Sequence, residues 1–361
     1  MNNSSIKPIA IYLPQFHPIP ENDAWWGKGF TEWTNVTKAK PRFEGHYQPH
    51  LPADLGFYDL RLEEARLAQE TMAKEFGIYG FCYYHYWFNG KKLLNEPIEQ
   101  KLKNDKEDLP FMLCWANENW TRAWDGLDRE VLLRQDYDFE DDREHMNYLC
   151  DTFFNDTRYI RHEGKPVFLI YRPKLFNDIK KTIEIWRNVA IEKGIGKLHI
   201  GYMQSWGVTD EPTSIGFDFA VEFQPNFPVL NNNIPKSVFQ RLKNKLGLKN
   251  NPPKDRIFDY KKFTKIQMNK EFNPIVSPSL IPMWDNSPRR QTDAFIFTDS
   301  TPETYGNWLQ HIVTNYPWNV NKENFLFINA WNEWAEGNHM EPCQKWGKQY
   351  LETTKKVLSK V

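Results

Sequence analysis

A chain of 361 residues is long enough for two average domains, or for one large α/β barrel carrying insertions. Its 46 basic and 47 acidic residues leave a net charge of -1, so there is no excess field to hold a polyphosphate or an anionic membrane, and nonspecific nucleic-acid binding is disfavoured. No apolar run approaches the length of a transmembrane helix, the first residues MNNSSIK lack a signal-peptide core, and the four cysteines form no CxxC pair, so we expect reduced thiols in a cytoplasmic protein.

In chain order, the first apolar run is IAIYL at 9–13, followed by a long Pro/Trp/His-rich excursion at about 14–59. Leu62, Ala65, Ala68, Met72 and Phe76 then recur at three- and four-residue steps up to Gly77, which predicts a helix with a glycine stop. YGFCYYHYW at 79–87, PFMLCW at 110–115 and PVFLIY at 166–171 are the second to fourth predicted strands. A helical pattern of Ile179, Ile183, Trp186, Val189 and Ala190 precedes the fifth, LHIGYM at 198–203, and the sixth is FDFAVEF at 217–223. A Lys/Asn/Pro-rich excursion at about 226–273 separates it from the seventh, PIVSPSLIPM at 274–283; its NNN at 231–233 and KNNPPK at 249–254 suggest a lid or spacer. Thr301 as N-cap with Pro302 at the first helical position opens another helix, the eighth strand is FLFINA at 325–330, and Trp346, Tyr350, Leu351, Val357 and Leu358 mark a closing amphipathic helix. Most of the strands are continuously apolar, as strands covered on both faces are. Eight of them with helices between predict an α/β fold, a single (β/α)8 TIM barrel over 1–361 with long loops at its C-terminal face. An open doubly wound sheet is the alternative, but no Gly-rich nucleotide-binding turn accompanies it.

On such a barrel the functional side chains follow the C-terminal ends of the strands. Those ends supply His17, His85, Tyr86, Trp115, Asn117, Glu118, Trp206, Gln224, Trp284, Asp285, Asn286, Trp331, Asn332 and Trp334, a polar and aromatic set that suits the hydroxyl rim and C–H face of a sugar. Within NAWNEWAEGNHMEP at 329–342, Glu333 and Glu336 stand three apart beside Trp331 and Trp334. Two carboxyl groups whose pKa values are driven apart by burial and mutual repulsion can serve as the acid and base of glycosidic bond cleavage. The same pair also suits a helix N-terminus, where the dipole favours acids. Asn117-Glu118 has the form of an acid/base pair of other barrel glycosidases, and Asp136 and Asp138 have the DxD form used by nucleotide-sugar transferases. DxD is common by chance and no phosphate loop accompanies it. His46 and His50 are separated by Pro49, so no helix aligns them on a metal; no metal site and no cofactor are expected.

The segments YLPQFHPIPENDAWWGKGFTEWTNV at 12–36, QPHLPADLGFYDL at 48–60, YGFCYYHYWF at 79–88, WANENWTRAWDG at 115–126, MWDNSPR at 283–289 and NAWNEWAEGNHMEP resemble the WbsX-type family of bacterial polysaccharide-locus proteins. That family is similar in turn to glycoside hydrolase family 99, the endo-acting α-mannosidases and mannanases, through the NEWxEG motif matched by Asn332, Glu333, Trp334, Glu336 and Gly337. The resemblance implies a retaining enzyme of surface polysaccharide (O-antigen, lipopolysaccharide) metabolism acting on an oligosaccharide or polysaccharide. It also implies that Glu333 deprotonates the substrate 2-hydroxyl, which attacks C1 to give a 1,2-anhydro sugar, while Glu336 is acid and then base at the leaving and incoming oxygens. A nucleotide-sugar-dependent glycosyltransferase and a non-catalytic glycan-binding protein are the alternatives.

Overall fold

The computed structural model describes residues 6–122, 127–228, 230, 255–318, 320 and 323–360. Eight strands form its centre: β1 Lys7–Tyr12, β2 Gly80–Phe88, β3 Phe111–Trp115, β4 Lys165–Ile170, β5 His199–Met203, β6 Phe219–Val221, β7 in the two pieces Val276–Ser277 and Ser279–Leu280, and β8 Phe325–Ile328. Each pairs in parallel with its sequence neighbours, and β1 pairs with β8.

Pro278 explains why the predicted seventh strand is split. Proline cannot donate to a ladder, so the first piece pairs with β6 (Val221↔Ser277) and the second with β8 (Leu280↔Ile328), while the Pro278 carbonyl accepts from the Phe327 amide at 2.9 Å. The ring closes through this change of partner, as a TIM barrel requires.

Helices follow the strands in the predicted alternation except between β5 and β6, where only the one-turn 3-10 segments Ser205–Gly207 and Pro212–Ile215 intervene. α1 Pro20–Trp26 and α2 Glu32–Lys38 lie in the first excursion; α3 Glu63–Glu75, α4 Glu96–Leu102, α5 Phe139–Thr152, α6 Ile179–Glu192, α7 Tyr260–Met268, α8 Pro302–Asn315 and α9 Gln349–Leu358 follow. Thr301 caps α8 through the Thr304 amide with Pro302 at its first turn, as predicted. α7 falls inside the stretch read as a Lys/Asn/Pro-rich excursion. It packs in the outer layer, with Phe263 edge-on to Trp308 of α8 at 5.7 Å. The proposed lid or spacer at 231–233 and 249–254 lies outside the described residues.

Before β3, two ion pairs are almost wholly buried, Lys101–Glu70 at 2.5 Å and Arg66–Glu107 at 2.9 Å. They stand at the N-terminal end of the strands, where a barrel invests in stability rather than chemistry. The four cysteines are buried and form no disulfide, and among the described residues no helix is long and apolar enough to cross a membrane.

Candidate active site

The chain leaving β8 turns back on itself in a tight hairpin: Asn332–Glu333 pairs antiparallel with Asn338–His339 around a one-turn 3-10 segment, Trp334–Glu336. Gly337 makes the turn possible, with φ at +54° and a position where a Cβ would meet Asp285 atoms at 3.0 to 3.1 Å. Asn332 fixes the hairpin to β1 by exchanging hydrogen bonds with the backbone of Leu13, 2.7 Å from its amide and 3.0 Å to its carbonyl. The hairpin brings Glu333 and Glu336 to the same guanidinium.

That guanidinium is Arg289, in the loop after β7. Its Nη2 donates to Glu333 at 2.9 Å, its Nη1 lies 2.8 Å from Glu336, and its Nε and Nη2 reach Glu32 at the start of α2 at 2.9 and 2.6 Å. Three carboxyl groups around one cation cannot all ionise at low cost when buried. Glu333, only 6% exposed, is the group that shows this: burial, opposed by Arg289 and assisted by Glu336 and Glu32, pushes its pKa up to about 8. Burial raises Glu32 as well, against the pull of Arg289.

The pair opens into a cavity of about 1050 Å³ at the C-terminal ends of the strands. Tryptophans 26, 120, 206 and 284 line it, with Tyr84, Tyr86 and Tyr171, and so do Arg172, Arg256 and Arg290. Glu118 also reaches it, bound to Arg172, and burial raises its pKa against that partner. Of the residues predicted from sequence, Glu333, Glu336, Tyr86, Glu118, Trp206, Trp284 and Asn286 thus meet around one space.

The others do not line it, and each has a local reason. Side chains alternate along a strand, so Tyr84 and Tyr86 face the cavity while His85 turns to the helix layer, where its Nε2 is 2.9 Å from Nε2 of His145 and burial drives its pKa down to about 3. Trp115 likewise packs outward, edge-on to His145 at 4.5 Å. Asn117 staples Arg172, bonding both its amide (2.8 Å) and its carbonyl (2.9 Å), and so holds the Glu118 partner in place. Gln224 is spent on Glu222, Gln267 and the Asn226 amide. Asp285 ties the first excursion to the seventh loop through His46 and Gln48, both at 2.6 Å. His17 is buried away from the lining. Trp331 packs on Phe81, and Asn332 is the staple described above. Trp334, fully buried, stacks on His339 at 3.8 Å and donates to Glu341 at 2.6 Å, so it supports the hairpin from behind.

Sequence reasoning did not single out Glu32 or Arg289, although both stand in the motifs FTEW and NSPR. Their signal was a charged residue inside an aromatic or proline-rich motif, which acquires a role only through its distant partners. The DxD acids are otherwise engaged: Asp138 caps α5, accepting from the Glu140 and Asp141 amides at 2.9 Å, and Asp136 pairs with Arg134.

Trp206 is 60% exposed on the cavity wall, with the Arg172 guanidinium 5.0 Å over its ring. Because so little of the core depends on it, Trp206→Ala should leave thermal unfolding unchanged while weakening oligosaccharide binding by about 1–2 kcal/mol, read by calorimetry. Unaltered affinity would take this ring out of the binding surface.

The closed parallel barrel has the fold of the glycoside hydrolase family 99 enzymes. The endo-α-mannosidase of that family from Bacteroides thetaiotaomicron, bound to bis-tris-propane, superposes with a TM-score of 0.57 at 13% identity, covering 98% of this chain and 96% of the other. A structure described as a glycoside hydrolase-like protein gives 0.58 at 14% identity, over 99% and 95% of the two chains. At the level of sequence the chain belongs to the WbsX glycosyltransferase family, whose model matches residues 8–354. An uncharacterized protein named WxcX, from Xanthomonas campestris pv. campestris strain B100, is 42% identical over 357 residues, 98% of this chain and 49% of the relative. The protein of the same name from strain ATCC 33913 matches to the same extent, so the chain spans about half the length of these curated relatives.

Proposed function

We propose that the chain acts on glycosidic bonds of a surface polysaccharide or its precursor oligosaccharide, hydrolysing a linkage or passing the sugar to another acceptor with retention. The observation that carries this reading is the Glu333 and Glu336 pair, gathered on Arg289 at the wall of a tryptophan-lined cavity.

In the route implied by the family resemblance, Glu333 takes the proton of the 2-hydroxyl as O2 attacks C1. The C1–O bond to the leaving group breaks, and that oxygen receives its proton from Glu336. Glu336, now ionised, takes the proton of the incoming water or sugar hydroxyl as it opens the 1,2-anhydro ring, and O2 recovers the proton held by Glu333. Two inversions at C1 give retention. A base whose conjugate acid holds its proton to about pH 8 is stronger toward a hydroxyl than an ordinary carboxylate, which suits Glu333 to this task.

The nucleotide-sugar reading would need Asp136 and Asp138 to hold a metal-bound diphosphate, and both are spent elsewhere, outside the cavity lining. Turnover of a panel of α-mannosyl oligosaccharides and aryl glycosides should therefore survive EDTA and be lost on the matching 2-deoxy substrate. Activity that dies with EDTA and returns only with Mn2+ and a nucleotide sugar would transfer the reaction to a DxD mechanism. Binding without turnover of any member of the panel would favour a glycan-binding module.

A further inference from the structure

We propose that His162, His199 and Glu323 form a divalent-metal site, suited to zinc, at the end of the barrel opposite the cavity. His162 ends the short strand Arg161–His162 that folds back onto the start of β4 (His162↔Lys165), His199 is the first residue of β5, and Glu323 stands two residues before β8. All three belong to the N-terminal ends of strands, whereas Glu333 and Glu336 follow the C-terminal end of β8.

One ligand atom from each of the three lies within 4.8 Å of the others. The Nε2 of His199 is 2.9 Å from a Glu323 oxygen, and the two imidazole rings are 4.5 Å apart. The His199 and Glu323 side chains are 8% and 12% exposed, and that of His162 10%. An ordinary ion pair would account for His199 and Glu323 only. His162 adds a third donor to the same point, and its nearest acid outside the cluster, Glu163, is 3.9 Å away, too far for a hydrogen bond.

The surroundings of His199 are those of an oriented ligand. Its ring lies flat on Phe219, with centroids 4.6 Å apart and planes 7° from parallel. Its Nδ1 is 4.0 Å from Asp218, a carboxylate itself fixed by Arg187 at 2.9 Å and by the Ile200 amide at 2.7 Å. At 4.0 Å that carboxylate is beyond hydrogen-bond reach of the ring, so the flat stacking on Phe219 is what holds the His199 imidazole in place. Two imidazoles and one carboxylate match zinc, with a fourth position for water. β8 is a sheet neighbour of neither β4 nor β5. An ion here would therefore cross-link strands that share no ladder, far from the cavity.

The test uses the full chain without an affinity tag, stripped with EDTA and dialysed. Calorimetry should show one Zn2+ bound per chain with a rise in Tm, and Co2+ in its place should give the visible d–d bands of a low-coordinate site. His162→Ala and the near-isosteric Glu323→Gln should each weaken Zn2+ binding by roughly 10- to 100-fold, or more, and leave oligosaccharide affinity at the cavity unchanged. Absence of stoichiometric Zn2+ uptake would overturn the assignment, as would uptake that either folded variant leaves intact, for then other histidines such as His50 and His339 hold the ion. If His162→Ala fails to fold, Glu323→Gln and the wild-type Co2+ spectrum decide, and a spectrum without d–d bands ends the proposal.

Discussion

Glu336→Gln should abolish turnover, by roughly 100- to 10,000-fold, while leaving affinity for the oligosaccharide within about tenfold. The amide keeps the size of the side chain and retains a carbonyl oxygen for the Arg289 Nη1 that lies 2.8 Å from Glu336. It cannot give up a proton to a leaving oxygen or take one from an acceptor. Binding is shared among four tryptophans, three tyrosines and several polar groups around the cavity, so one conservative change in its wall costs affinity little. Steady-state kinetics beside calorimetry separates the two effects. Full activity in the variant would remove Glu336 from the mechanism, and a large loss of affinity with the remaining rate intact would make it a binding group.

Arg289→Met should do the second-largest damage, and in two measurable ways. Glu32 is fully buried and its hydrogen bonds to another side chain come from Arg289. Leaving buried carboxylates without their cation costs about 3–5 kcal/mol, unless they take up protons instead. At neutral pH we expect a lower Tm together with proton uptake at Glu32, since Glu333 already holds its proton below about pH 8. The kinetic sign follows from the Glu333 role. A base must be ionised, so kcat/KM of the wild type should rise with pH through about 8, the value to which burial pushes Glu333. Without Arg289, which acts to lower that value, the rise should move to higher pH, and Arg289→Lys should show an intermediate shift because a single ammonium cannot reach three carboxyl groups. A wild-type profile that falls through pH 8 would make Glu333 the proton donor and exchange the roles of the pair. A limb that stays in place in the variants would show that Arg289 does not tune it.

The same raised value has a thermodynamic sign. Between the ordinary carboxyl value of 4.5 and about 8 the folded state holds a proton on Glu333 that the unfolded chain has lost. The contribution of this group to stability is therefore full at acid pH and is lost as the pH rises through that window.

Eight strands with helices between them were legible because a strand covered on both faces writes itself as a continuous apolar run, and because Gly77 and Thr301 punctuate helices locally. The end of the barrel that carries the cavity was legible too, since chain order alone says which residues follow a strand; Glu333, Glu336, Glu118, Trp206, Trp284 and Asn286, named in that way, line it. The limit came from the same continuity. In a run such as YYHYW both faces are buried, so nothing in it says whether Tyr86 or His85 looks into the cavity, and only the register of β2 against its neighbours decided that. Glu32 and Arg289 are 257 residues apart and the ligands around His199 come from three segments, so no spacing rule reaches them. A charge becomes functional through the partners that surround it and the water it loses, and both are properties of the folded chain. The local sequence determined which elements form and where they end; closure of the ring decided which carboxylates would share one arginine.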